Sequence, residues 1–102
     1  MKKCKITVLK CSFNEDLAKE YCGREATPCQ LFEEGQEFIV EGLNQPTDFE
    51  CGGAWQDIHK SLLSIGFDAH LYPGWMKDDK TIISCCTDGI RPVIFKIQRL
   101  DD

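Results

Sequence analysis

Apolar and polar positions alternate along residues 4–11, CKITVLKC. Ile6, Val8 and Lys10 fall on one side and Lys5, Thr7 and Leu9 on the other, which with the β-branched content predicts a strand. Strict alternation sends Cys4 and Cys11, seven positions apart, to opposite faces, where they cannot share a ligand. Asn14 followed by Glu15 and Asp16, with Leu17 and Tyr21 on one face and Gly23 as a stop, predicts a short peripheral helix over about 15–22. Arg24 to Glu34 reads as irregular chain, with Cys29 in a loop after Thr27-Pro28. The stretch GQEFIVEGL then predicts a second strand carrying Phe38 and Val40 on one face.

After the polar loop NQPTDFECGG the period changes. Trp55, Ile58, Leu62 and Ile65 recur at helical spacing, and Gly66 offers a stop, so the main helix is predicted over about 54–65. His59 sits on the shoulder of its apolar face. HLYPGWMKDDK is turn-rich and reads either as a lid or as a plug on the core edge through Trp75 and Met76.

The last alternating run, TIISCCTDGIRPVIFKI, has Asp88-Gly89 between two β-rich arms and predicts a hairpin. A two-residue loop pairs Cys85 with Pro92 at a hydrogen-bonded site, where proline has no N–H to give. A loop from Thr87 to Ile90 removes that conflict. Both loops set Cys86 opposite Arg91 and put Ile82, Ser84, Cys86, Arg91, Val93, Phe95 and Ile97 on one face. Ile83, Cys85, Ile90, Pro92 and Ile94 share the other. Two apolar faces imply cover on both sides, and for so small a chain that points to a homo-oligomer. Arg91 either lies against the Cys86 thiol, favouring its thiolate, or pairs with Asp88 across the turn. Adjacent strand cysteines point apart, so Cys85 and Cys86 are not expected to chelate together.

These elements make an α+β fold: a small, mostly antiparallel sheet with a C-terminal β-hairpin, packed by the main helix and the short one. A chain of 102 residues fits a single domain over 1–102. Its net charge of -5 opposes nucleic acid and anionic membrane as partners. The apolar run Ile6 to Leu9 is too short for a signal peptide, and no stretch approaches a membrane span, so a cytoplasmic setting is expected. Seven cysteines, an odd count, are then read as reduced thiols: core residues, metal ligands or reactive thiolates. Cys51, just before Gly52-Gly53 and the main helix, stands where a helix start favours a thiolate and joins Cys86 as a candidate.

The segments KITVLK, Cys29 with EGQEF, Cys51 with Ala54-Trp55 and Ile58, and above all CCTDGIRPVIF resemble a family of small bacterial and archaeal proteins. These are catalogued as a repeat protein family and occur as single domains of about this length or in tandem. The resemblance covers nearly the whole chain and implies no particular activity. It matches at Cys29, Cys51, Trp55, Cys86, Asp88, Gly89, Arg91 and Pro92, departs at Gln30, where the family has proline, and is weak at Cys4, Cys11 and Cys22.

Cys29, Cys51 and Cys86 come from a loop, a helix start and a hairpin end that can converge. Such a site suits zinc or an iron-sulfur cluster, with His59, Cys85 or an exogenous group as fourth ligand, although no C-x-x-C or H-x-x-x-H half-site anchors it. A thiol-dependent enzyme, redox or nucleophilic, would use Cys86 or Cys51 with His59 as base. The acidic residues form no acid-base pair, and Gly52-Gly53 lacks the Lys-Ser/Thr of a phosphate loop. The favoured expectation is a non-enzymatic binding or accessory module for a protein or small molecule, with a cysteine-centred site, Asp88 and Arg91 organising the turn, and Trp55 walling the pocket.

Overall fold

The computed structural model describes residues 1–69 and 72–101. Strands β1 (Cys4–Cys11), β2 (Glu37–Val40), β3 (Thr81–Cys85) and β4 (Val93–Arg99) form one antiparallel sheet in the order β2-β1-β4-β3. Helices α1 (Glu15–Tyr21) and α2 (Gly52–Gly66) complete an α+β fold. β2 and β3 lie at opposite edges, so the connection between them must cross the sheet. It does so as α2, which packs on β1, β3 and β4 over a single face.

That face is apolar by alternation. Cys4, Ile6 and Val8 of β1, Phe38 and Val40 of β2, Ile82 of β3 and Val93, Phe95 and Ile97 of β4 are buried under Trp55, Ile58, Leu62 and Ile65 of α2. Two core residues come from irregular chain. Phe49 places its ring 5.0 Å from Phe38, 5.2 Å from Phe32, 5.7 Å from Phe95 and 5.8 Å from Trp55, and so closes the core where the sheet leaves the helix. Trp55 is thus a core residue, 8 % exposed, with Phe49 at one side and His59 at the other.

β1 departs from strict alternation. Val8 pairs with Phe95, but the next pair is Lys10 with Ile94, so Leu9 is an extra residue, a β-bulge. Strict alternation would bury Lys10 beside Ile6 and Val8. The bulge turns Lys10 out and Leu9 to solvent, and it brings Cys11 to the inner face shared with Cys4. The expectation that these two cysteines face opposite ways fails for this reason.

The hairpin register also differs. Cys85 pairs with Ile94, and the Cys86 amide donates to the Val93 carbonyl at 3.0 Å, so Cys86 stands opposite Val93 and not Arg91. The loop is wider than two or four residues because Asp88 captures its own turn: Oδ1 accepts from the amides of Ile90 and Arg91 at 2.9 and 3.0 Å. A slip of two positions preserves parity, so Ile82, Val93, Phe95 and Ile97 still share the buried face and Ile83 and Cys85 point outward. Within this chain the outer face of the sheet is open, with Ile39 and Ile83 exposed.

α2 exceeds its predicted span by two residues at the start and one at the end. Cys51 caps it, its Sγ accepting from the Ala54 amide at 3.3 Å. At the other end Asp68 takes φ 62°, and Arg99 Nη1 donates to the Ile65 carbonyl at 3.3 Å while pairing with Asp68 at 3.0 Å. α1 buries only Ala18; Leu17 and Tyr21, which share a face as expected, are exposed. Asn14 precedes α1 without capping it through its side chain, which donates instead to the Gly89 carbonyl at 2.7 Å. Trp75 is 74 % exposed and does not plug the core, while His70 and Leu71 of the same segment lie outside the described residues.

Candidate functional site

At the end of the sheet near the start of α2, three segments meet. Residues 29–32 form one wall, Cys51 and the first turn of α2 a second, and residues 86–93 a third. They enclose an open pocket of about 310 Å³ whose wall includes Cys29, Cys51 and Cys86, the apolar surfaces of Leu31, Phe32, Ala54 and Val93, and a charged rim of Asp57, Asp88 and Arg91. The three cysteines singled out from the sequence therefore share one pocket, and all three are half-buried.

Each is held by a local device. Cys51 is the helix cap. Cys86 is the residue after β3, and its Sγ accepts the Val93 amide at 3.2 Å. Both sulfurs thus act as acceptors of backbone N–H groups. Cys29 sits on the loop that packs Phe32 into the core.

The loop carrying Thr87 to Pro92 is fastened at several points. Asp57 Oδ2, on the second turn of α2, accepts from the Thr87 amide at 2.8 Å and the Thr87 hydroxyl at 3.0 Å. The Asn14 amide donates to the Ile90 carbonyl at 2.7 Å and the Ser12 amide to the Pro92 carbonyl at 2.9 Å. Arg91 Nε reaches Asp88 Oδ2 at 3.3 Å, so of its two expected partners the guanidinium takes the carboxylate. The backbone N–H of Arg91, then that of Ile90, and then the guanidinium hold the Asp88 carboxyl below the ordinary range.

Cys11 was not among the sequence candidates, yet it belongs to this neighbourhood. It is half-buried against the core, its Sγ donates to the Phe32 carbonyl at 3.5 Å, and its amide donates to Glu34 Oε2 at 3.0 Å. Burial pushes its thiol up, and the nearby Cys29, Glu34 and Cys86 push it further. Lys10 held the signal: a lysine on the core face of a strict alternation demands a bulge, and the bulge turns Cys11 inward. Asp57 was missed as well, because nothing local marks an acidic residue on a helix as the anchor of a loop 30 positions away.

Comparison with family models, curated proteins and solved structures finds no match.

Other candidates fall elsewhere. Neither Trp55 nor His59 lines the pocket: Trp55 lies in the core, and the His59 ring meets it at a tilt of 48°, ring centres 5.6 Å apart. Cys85 is exposed on the outer side of β3, opposite in direction to Cys86. Among the described residues, no group of three or more histidine, cysteine and acidic side chains is gathered closely enough to hold a metal ion. Cys29, Cys51 and Cys86 thus share a wall without forming the coordination shell of a single zinc. No helix among the described residues is long and apolar enough to cross a membrane.

Proposed function

We propose that the chain is a small binding module, not an enzyme, whose site is the cysteine-lined pocket between the 29–32 loop, the start of α2 and the 86–93 loop. One observation carries this reading: three cysteines more than twenty positions apart in sequence face the same cavity, each on a backbone held by its own hydrogen bonds or core packing. Soft sulfur donors on an apolar wall, with a charged rim, suit a thiophilic ligand. Nucleophilic catalysis would need a base beside the thiol, and His59 is turned to Trp55. The same reading takes the Cys86 to Pro92 block as a sign of kinship with the repeat protein family it resembles. It also places the protein in the cytoplasm, where seven thiols stay reduced. Self-association through the open sheet face around Ile39 and Ile83 completes it.

The test is stoichiometric uptake of phenylarsine oxide, which bridges two thiols within reach of each other, followed by intact-protein mass spectrometry. The expected result is one tightly held arsenical per chain, lost in Cys51→Ala and Cys86→Ala and kept in Cys85→Ala. Uptake that survives replacement of Cys29, Cys51 and Cys86 together would place the reactive thiols outside the pocket and refute the reading.

A further inference from the structure

The bulge at Leu9 does more than spare Lys10 from the core. It sets Cys11 directly across β4 from Cys86: Cys11 pairs with Val93 on one side, and Cys86 exchanges bonds with Val93 on the other. All three residues face inward. Adjacent strands lie about 4.8 Å apart, so the two cysteine Cα atoms stand roughly 10 Å apart, beyond the reach of about 7 Å that a disulfide permits. Cys51 approaches from the helix cap and Cys29 from the loop next to Phe32, whose carbonyl holds the Cys11 thiol.

Four cysteines from four segments therefore pack against the core, and among the described residues no three of them are placed to hold a single metal ion. A ligand that four such sulfurs can share must offer well-separated metal positions. Resting on the pocket reading above, we infer that Cys11, Cys29, Cys51 and Cys86 form a four-thiolate site for a cubane iron-sulfur cluster, with Cys11 as the fourth ligand.

The arrangement has the properties such a cluster uses. Four cysteine thiolates supply its ligation, and the backbone N–H groups of Ala54 and Val93, already aimed at Cys51 and Cys86, are the hydrogen bonds to sulfur that tune a cluster's potential. Leu31, Phe32 and Val93 give it an apolar wall. Cys11 must release its bond to the Phe32 carbonyl when its sulfur binds iron. In assembly from ferric ion, sulfide and dithiothreitol, each cysteine loses its proton to solvent as its sulfur bonds an iron. The dithiol is oxidised to its cyclic disulfide and releases two protons of its own, and its two electrons reduce two of the four ferric ions.

The experiment is anaerobic assembly of the full chain with those three reagents, then desalting, iron and acid-labile sulfide assays and a visible spectrum. Wild type is expected to retain iron and sulfide in equal amounts, about four of each per chain, with a broad sulfur-to-iron charge-transfer band. Cys11→Ala, and each of Cys29→Ala, Cys51→Ala and Cys86→Ala, should retain at least fourfold less, whereas Cys22→Ala and Cys85→Ala retain the wild-type amount. Circular dichroism checks that each variant is folded, and Cys11→Ser replaces Cys11→Ala if the latter is not. Full retention in a folded Cys11 variant overturns the assignment of the fourth ligand and leaves the pocket reading intact. Wild type that keeps no iron, or iron without sulfide, overturns the cluster, and arsenical uptake then judges the pocket by itself. Retention unaffected by all four replacements overturns both.

Discussion

Replacing Asp57 by Ala cuts the tie between α2 and the loop that carries Cys86. The carboxylate accepts two bonds from Thr87, at 2.8 Å from the amide and 3.0 Å from the hydroxyl. Hydrogen bonds to a charged acceptor contribute about 1.5–3 kcal/mol each when buried. Thr87 is exposed, so water takes over both donors once the carboxylate is gone, and the pair together contributes about 1–2 kcal/mol. Alanine returns roughly 0.5 kcal/mol through its helix propensity at this interior position. The net expectation is a loss of about 1 kcal/mol in urea-induced unfolding, or about 4–8 °C in melting temperature for a chain of this size. Because the Thr87 amide loses its partner, its hydrogen exchange should accelerate while amides in β4 keep their relative protection. Thr87→Ala removes only the hydroxyl bond, so a double-mutant cycle with Asp57→Ala should return a coupling of about 0.5–1 kcal/mol. An Asp57→Ala protein as stable as wild type, with unchanged exchange at Thr87, would refute the claim that this carboxylate anchors the loop.

Phe49→Ala empties the centre of the aromatic cluster and should cost about 3–5 kcal/mol by chemical denaturation, whereas Phe67→Ala, on an exposed ring, should stay within about 0.5 kcal/mol. Asp101, bonded first by Lys80 at 2.6 Å and then by Arg99 at 3.0 Å, has its carboxyl pulled down to about 2 from 3.8, and Asp88 and Asp78 are also lowered. Depressed folded-state values mean that these contributions are complete above pH 4 or so and are lost as pH falls toward 2. Acid titration of stability should therefore decline most steeply in that window, and Asp101→Asn should flatten the decline.

The elements of this fold were legible wherever burial is periodic. β1, β2, the hairpin arms and α2 each expose a single apolar face to the core, and period alone locates them. What escaped was structure set by single residues acting at a distance. Phe32 and Phe49 reach the core from irregular chain, where no period marks them. The hairpin register was misplaced because the Asp88 carboxylate, and not the Asp-Gly dipeptide alone, shapes the loop. At the site, the meeting of Cys29, Cys51 and Cys86 could be anticipated from the ends of their elements. Cys11 could not be placed without the bulge, nor Asp57 without knowing which turn of α2 passes Thr87.

The two central strands of the sheet come from opposite ends of the described chain: Cys4 of β1 pairs with Arg99 of β4. A nascent chain that has emerged only through β3 holds two strands, β2 and β3, that never touch, and a first strand with one side unpaired. It cannot close the core, and its cysteine segments have no common frame to gather on. Folding must therefore wait for β4, after synthesis has passed residue 99, and closing a loop of that length makes it slow for so small a protein. Until then all seven thiols lie on an open chain, so oxidation threatens the newly made protein more than the folded one.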